Sequence, residues 1–312
     1  MDDKKKGGLF TGRNIILMVL VLCVIVSGIL LIREQMEKQR QLAAQEQLRQ
    51  LALQEQQERQ KQLEAQTTEA VTETEPEETQ PPYVSPIDFE ALWKENPDTV
   101  GWITIPDTQI DYPIVYSEDN EKYLHEDFYG NESVYGTIYL DSDSETDFSG
   151  WNNPIYGHHM RDGSMFKDVV RYKEEDYFKE HQYFTIYTPE REIRLKAISC
   201  YYSEPSGIVR KTLFTTQEKF DEWARERLEP CPYAEIPEFS LHNMYVLVTC
   251  SYEFNNARTL LYAVEVDEEG NILPADPEKV ESRIERMIER KRAELSSSQV
   301  ETQGSLPDQS TD

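Results

Sequence analysis

The sequence predicts an all-β fold: a closed barrel of about eight strands with peripheral helices, preceded by a transmembrane helix and a helical stalk. Two observations predict the barrel. Short apolar runs recur between turn signals from Tyr83 to about Val266, and several alternate apolar with polar residues as half-buried strands do. Few long helical patterns interrupt them, which favours a barrel or sandwich over a layered α/β fold. A third observation predicts the preceding segment. Residues 15–32, IILMVLVLCVIVSGILLI, carry no charge over eighteen positions, about the minimum that spans a bilayer core as a helix.

Taken in order, residues 1–14 form a tail with Lys4, Lys5, Lys6 and Arg13. Positive charge before a first span favours a cytoplasmic N-terminus, although Arg33, Lys38 and Arg40 follow the span closely. The alternative is a cleaved signal peptide, but the apolar run is long for one and no clear A-x-A site follows. Residues 15–32 are therefore expected to be an uncleaved anchor, with the rest of the chain outside the cell. Residues 33–66 are rich in Gln, Glu, Arg, Leu and Ala and lack Gly and Pro, so they predict a helical stalk roughly 50 Å long. Met36, Leu42, Leu48, Leu51, Leu53 and Leu63 hold no clean heptad, which argues for a solvated spacer over a coiled coil. Residues 67–86 are expected to be a disordered acidic linker, because TTEAVTETEPEETQPP has acids and prolines but no base.

Residues 87–266 are the expected folded domain. Its strands are predicted over Gly101–Ile105, Asp111–Tyr116, Gly136–Leu140, Pro154–Tyr156, Tyr183–Tyr187, Glu192–Ser199, Met244–Thr249 and Arg258–Val266. Helices fit at Asp88–Asn96, around Ser164–Glu180 and at Thr216–Leu228. Residues 267–295 form a C-terminal helical extension. Its helix, Asp276–Leu295, has a capping Asp and a first-turn Pro277, and Val280, Ile284, Met287 and Ile288 make a stripe expected to dock on the barrel. Residues 296–312 are expected to be a disordered tail.

Charge excludes one class of partner. Lys plus Arg is 32 and Asp plus Glu is 59, a formal net charge of −27, and nucleic-acid affinity comes mainly from cations neutralising phosphates. Four cysteines with no CxxC pair make neither a disulfide scaffold nor a zinc site. Cys200 and Cys231 are equally compatible with a disulfide outside the cell or with free buried thiols.

Of the cysteines, Cys250 ends the strongest apolar run, VLVTC, before the polar loop SYEFNNAR. Strand ends facing loops are where reactive side chains are mounted on rigid scaffolds, although an isolated Cys is more often a small buried hydrophobe. A cysteine nucleophile needs a base nearby. His158, in PIYGHHMRDGSMF, again follows a short strand, whereas His125, His181 and His242 lie in polar stretches that suit the surface. Neighbouring residues on an extended chain point to opposite faces, so His158 and His159 do not read as a shared metal site. Arg258 opens the last strand, and the strand–loop–strand pattern returns it to the end of the Cys250 strand. There it can offer donors to an oxyanion, although a single Arg is usually a solvated cation.

YGHHM, LVTCSY and NARTLLYAVEV together resemble the sortases, the cysteine transpeptidases of Gram-positive cell surfaces. GHHMRDGSMF and the helix at Thr216–Leu228 resemble class B in particular. The likeness covers about residues 87–266, and it extends to the anchor and to GWITIPDTQIDYPIVY. It implies Cys250 as nucleophile, His158 as general acid and base, and Arg258 as oxyanion or substrate-positioning residue. Thr249 and Ser251 flank Cys250 and are expected either to line the groove or to be merely structural. It implies cleavage of a C-terminal sorting signal at a Thr–Gly-like bond and transfer of the acyl group to an amine of peptidoglycan or a pilin. Neither metal nor organic cofactor is implied. Many relatives carry Asn where this chain has His159, which leaves His159 as an alternative to His158. Two other classes remain open: a surface cysteine peptidase with water as acceptor, and a noncatalytic membrane-tethered binding domain.

Overall fold

The computed structural model describes residues 12–69, 83–204 and 207–304, with the side chains of 14–53, 83–204 and 209–292. The expected N-terminal tail up to residue 11, the linker over 70–82 and the tail from 305 lie outside the described residues. The chain divides into two compact units, Met1–Gln50 and Leu51–Asp312. Helix α1 runs Gly12–Glu69. Among the described residues one helix, over Asn14–Leu53, is long and apolar enough to cross a membrane. The stalk segment 33–66 is helical, and α1 continues three residues into the segment expected to be linker; Thr67, Thr68 and Glu69 contain no helix breaker.

The larger unit is built on a closed barrel. Its strands are β1 (Thr99–Thr104), β2 (Asp111–Tyr116), β3 (Ile138–Leu140), β4 (Asn152–Tyr156), β5 (Tyr183–Tyr187), β6 (Glu192–Ser203), β7 (Met244–Cys250) and β8 (Arg258–Glu265). They close in the order β1-β2-β3-β4-β7-β8-β6-β5. The β2–β3 and β4–β7 pairs are parallel and the others antiparallel. All eight expected strands are present; β6 runs four residues further than expected, to Ser203.

Period-two alternation gives the barrel two apolar faces. The interior holds Ile103, Ile114, Ile155, Ile186, Leu195, Tyr245, Leu247 and Leu261. The outer face of β7 and β8 carries Val246, Val248, Leu260, Tyr262 and Val264, covered by Phe220, Trp223, Ala224 and Leu228 of α5 (Gln217–Leu228). Thr216 caps α5 by accepting from the Lys219 N–H. The shorter helices are α2 (Phe89–Glu95), capped by Asp88, α3 (Lys122–His125) and α4 (Glu175–Glu180), the last preceded by a 3₁₀ segment at Lys167–Lys173.

Helix α6 runs Pro277–Gly304. It passes Leu295 into the expected tail because the next glycine is Gly304. The apolar stripe docks by one edge. Val280 and Ile284 join the outer cluster and Met287 is buried, but Ile288 stays 39% exposed. The buried neighbour is instead Arg283, which lies over the Trp151 ring and donates to the carbonyls of Ser149 and His242. This contact also corrects the expectation for His242, which is buried rather than at the surface.

The far end of β8 is held by a buried ion pair. Glu265 is 5% exposed and accepts two bonds from Arg191, at 2.8 and 3.1 Å, and one each from Tyr245 and Asn243. Burial pushes its carboxyl up, but the Arg191 guanidinium and the Tyr245 and Asn243 donors outweigh that and hold it at about 2. A depressed carboxylate contributes stability above its unfolded pKa and loses it as pH falls through the folded value. Acid titration should therefore remove this contribution between about pH 4.3 and pH 2. Glu265→Ala should cost about 3 kcal/mol at pH 7 by urea denaturation, the low end for a broken buried pair because part of Arg191 reaches water. Between pH 4.3 and 2 the wild type should lose a component of stability that Glu265→Gln lacks.

Candidate active site

Cys250, the last residue of β7, pairs in register with Arg258, the first of β8. On the other side β4 runs parallel to β7, with Tyr156 opposite Val248 and the Gly157 N–H bonded to the Val248 carbonyl at 3.1 Å. His158 therefore follows the strand neighbouring Cys250, at the same end of the sheet. Val248, Leu260 and Tyr156 belong to the outer apolar cluster, so the two-residue alternation carries Cys250, Arg258 and His158 onto that outer face. Tyr139 of β3 stacks on Tyr156 beside it, with ring centroids 5.1 Å apart.

Two glycines let this end close. A Cβ on Gly157 would stand 2.4 Å from Ile138 Cδ1 and 2.7 Å from the Phe166 ring, so only Gly passes between β4 and His158. Gly136 has φ +57, and a Cβ there would meet the carbonyl oxygens of Tyr123 and Leu124 at 2.6 and 2.9 Å. The Leu124 carbonyl also accepts from His158 Nε2 at 2.8 Å, which orients the ring and places a hydrogen on Nε2.

Each expected residue has a distinct setting. Cys250 is half-buried, whereas Cys200 and Cys231 are buried; all three are free thiols. Burial pushes the Cys200 thiol well above its ordinary value, and the neighbouring Cys231 adds to that. The Arg258 guanidinium donates to the carbonyls of Asn256 and Ala257, at 3.1 and 3.2 Å, and so is braced on the loop between β7 and β8. Thr249 and Ser251 differ from the groove-lining expectation. They are 2% and 3% exposed, their hydroxyls are buried without a hydrogen-bond partner, and Thr249 alternates to the barrel side, opposite Thr259.

His159 is the alternative to His158. Its Nδ1 lies 2.8 Å from the Cys250 carbonyl oxygen and its Nε2 2.8 Å from Lys167 Nζ, so both ring nitrogens are engaged. Neither Tyr139, stacked on Tyr156, nor Lys167, bonded to His159, is marked as a neighbour of these residues by the sequence. An apolar-looking strand residue and one more Lys carry no local signal of their neighbours. Among the described residues no group of three or more His, Cys, Asp or Glu has metal-holding geometry.

A half-exposed thiol, a histidine on the adjacent strand end and an arginine directly across the ladder are the parts of a nucleophilic acyl-transfer site. No family model matches the chain. It is similar to Sortase B of Listeria monocytogenes, 32% identical over 163 residues, 52% of this chain and 66% of that protein. It is also 28% identical to Sortase B of Staphylococcus aureus, over 44% of this chain and 57% of that protein. The chain thus spans just under two thirds of the first relative's length. Its fold is similar to the crystal structure of Clostridium perfringens Sortase B, with a TM-score of 0.55 and 29% identity, over 58% of this chain and 100% of that one.

Proposed function

We propose that the chain is a sortase of class B, a membrane-anchored cysteine transpeptidase acting on sorting signals. The observation that carries this reading is the ladder: Cys250 opposite Arg258, with His158 following the parallel neighbour strand. In the first step the Cys250 thiolate attacks the carbonyl of a Thr–Gly-like bond. The electron pair moves to the carbonyl oxygen, and Arg258 stabilises that oxyanion. The tetrahedral intermediate collapses, the C–N bond breaks, and His158 donates a proton to the leaving amine. Nε2–H is held by the Leu124 carbonyl, so Nδ1 is the atom that exchanges the proton. A thioester remains on Cys250. In the second step an amine of peptidoglycan or a pilin attacks it, His158 accepts the amine's proton, and the thiolate is regenerated. His159, with both nitrogens occupied, takes no part in the proton transfer.

Residues 15–32 anchor the chain in this reading, with residues 1–14 cytoplasmic and the catalytic domain, 87–266, at the outer surface. Residues 33–69 and the segment that follows them hold it near the membrane, where sorting signals emerge. Residues 267–295 brace the barrel, and 296–312 add only an acidic tail.

The full chain in detergent micelles, incubated with LPxTG-, NPxTG- and PPxTG-type peptides with and without an amine, tests this by intact-mass spectrometry. A thioester adduct on the protein and an amine-dependent amide product are expected. Cleavage with no amide product would favour the peptidase with water as acceptor. Absence of any adduct, with Cys250 inert to a thiol probe, would favour a binding domain.

A further inference from the structure

We infer that His159 is a positioning residue, a neutral side-chain rung that ties the segment carrying His158 to the strand end carrying Cys250. The inference rests on the roles proposed above for those two residues. Parallel strands bond at even two-residue intervals. On β4 and β7 the backbone rung from Gly157 N–H to the Val248 carbonyl is the last of the regular ladder. Two residues further along each strand come His159 and Cys250. There the imidazole bridges to the Cys250 carbonyl, 2.8 Å from Nδ1. The ladder is thereby prolonged by one rung, past His158, to the nucleophile itself.

The partners dictate the tautomer. A carbonyl oxygen only accepts, so Nδ1 carries the hydrogen. A lysine ammonium only donates, so Nε2 is the acceptor for Lys167 Nζ at 2.8 Å. His159 is thus neutral with its hydrogen on Nδ1. Protonating Nε2 would set two cations against each other and break the Lys167 bond. Burial lowers the His159 pKa, the bond to the Cys250 carbonyl opposes that, and the charges of Lys167 and Lys173 lower it further. Those groups, with the Tyr252 ring 4.9 Å away, face the imidazole from the Lys167–Lys173 segment, the β7 end and the β7–β8 loop. Lys173 itself pairs with Glu253 of that loop. The same loop therefore rests on the His159–Lys173 region through Tyr252 and Glu253 as well. Losing the rung frees the two strand ends to separate, and misplacement by about 1 Å costs rate rather than binding, by up to about 10²-fold.

The test uses the full chain with His159→Ala, His159→Asn and Lys167→Met, and with the last two combined. Acyl-enzyme formation is followed with whichever peptide the wild type accepts. His159→Ala should lower kcat by about 10- to 100-fold with KM changed less than about 2-fold. His159→Asn should recover most of that, because its amide N–H can donate to the Cys250 carbonyl. Lys167→Met removes the donor to Nε2 but leaves the Nδ1–H rung in place, so it should lower kcat far less than His159→Ala does. In the His159→Asn background the same change should have little further effect. A His159→Ala enzyme within about 3-fold of wild-type kcat would overturn the inference, as would a Lys167→Met loss as large as that of His159→Ala. Should the wild type form no acyl-enzyme with any peptide, the proposed function fails first. Imidazole ¹⁵N spectra then decide the tie alone: hydrogen on Nδ1 supports it and hydrogen on Nε2 overturns it.

Discussion

Cys250→Ala should abolish the acyl adduct with every sorting peptide while leaving the fold intact. The side chain sits at the open end of β7 and lies outside both core clusters, so removing Sγ leaves little cavity. Melting temperature should stay within a few degrees of wild type, and peptide binding should persist, because the groove loses one atom. Chemistry is different, since no other thiol of residues 87–266 can substitute. Cys200 and Cys231 are buried, and burial holds the Cys200 thiol far above the range in which a thiolate forms. The same contrast gives a substrate-free check. Iodoacetamide should label Cys250 ahead of Cys200 and Cys231, read by peptide mapping, and wild-type turnover should fall in step with Cys250 occupancy. Residual adduct formation in Cys250→Ala would remove Cys250 from the nucleophile's role.

The barrel was legible because most of its strands announce themselves twice, by alternation and by bounding turns. GWITI and DYPIVY emerge as β1 and β2, and VLVTC as the end of β7. The proposed trio was legible for a related reason. Reactive groups at strand ends follow apolar runs in the sequence, and a strand–loop–strand connection returns Arg258 to Cys250 whatever the details of the loop. Features that depend on distant pairing stayed hidden. His159 meets the Cys250 carbonyl across 91 positions, and a doublet of histidines gives no hint which one bonds to that carbonyl. His242 looked superficial because its neighbours are polar, but Arg283 of α6 covers it. Thr249 and Ser251 flank Cys250 in sequence, yet adjacent strand residues face opposite ways, so flanking a site along the chain turns a side chain from it.

Arg258→Ala should lower kcat/KM by about 10²- to 10³-fold, the loss that follows removal of one oxyanion donor. In the role proposed for Arg258, the geometry gives the donor its worth. Arg258 opens β8 directly across from Cys250, and its NH1 group is spent on the Asn256 and Ala257 carbonyls. Those bonds do not stabilise an oxyanion; they lock the guanidinium plane so that its other N–H groups point in a set direction before substrate arrives. A preorganised donor costs no reorganisation when charge develops on the carbonyl oxygen. Arg258→Lys separates this account from a simple charge effect. Lysine keeps the cation but has no planar fork, so it can brace on the loop or reach the oxyanion, not both. Its kcat/KM should therefore stay well below wild type, with most of the loss in kcat. A mere surface cation would behave otherwise: lysine would restore activity, and raised salt would mimic the alanine variant. If Arg258→Ala keeps near wild-type kcat/KM, the oxyanion must be stabilised by other donors, and Arg258 only braces the β7–β8 loop.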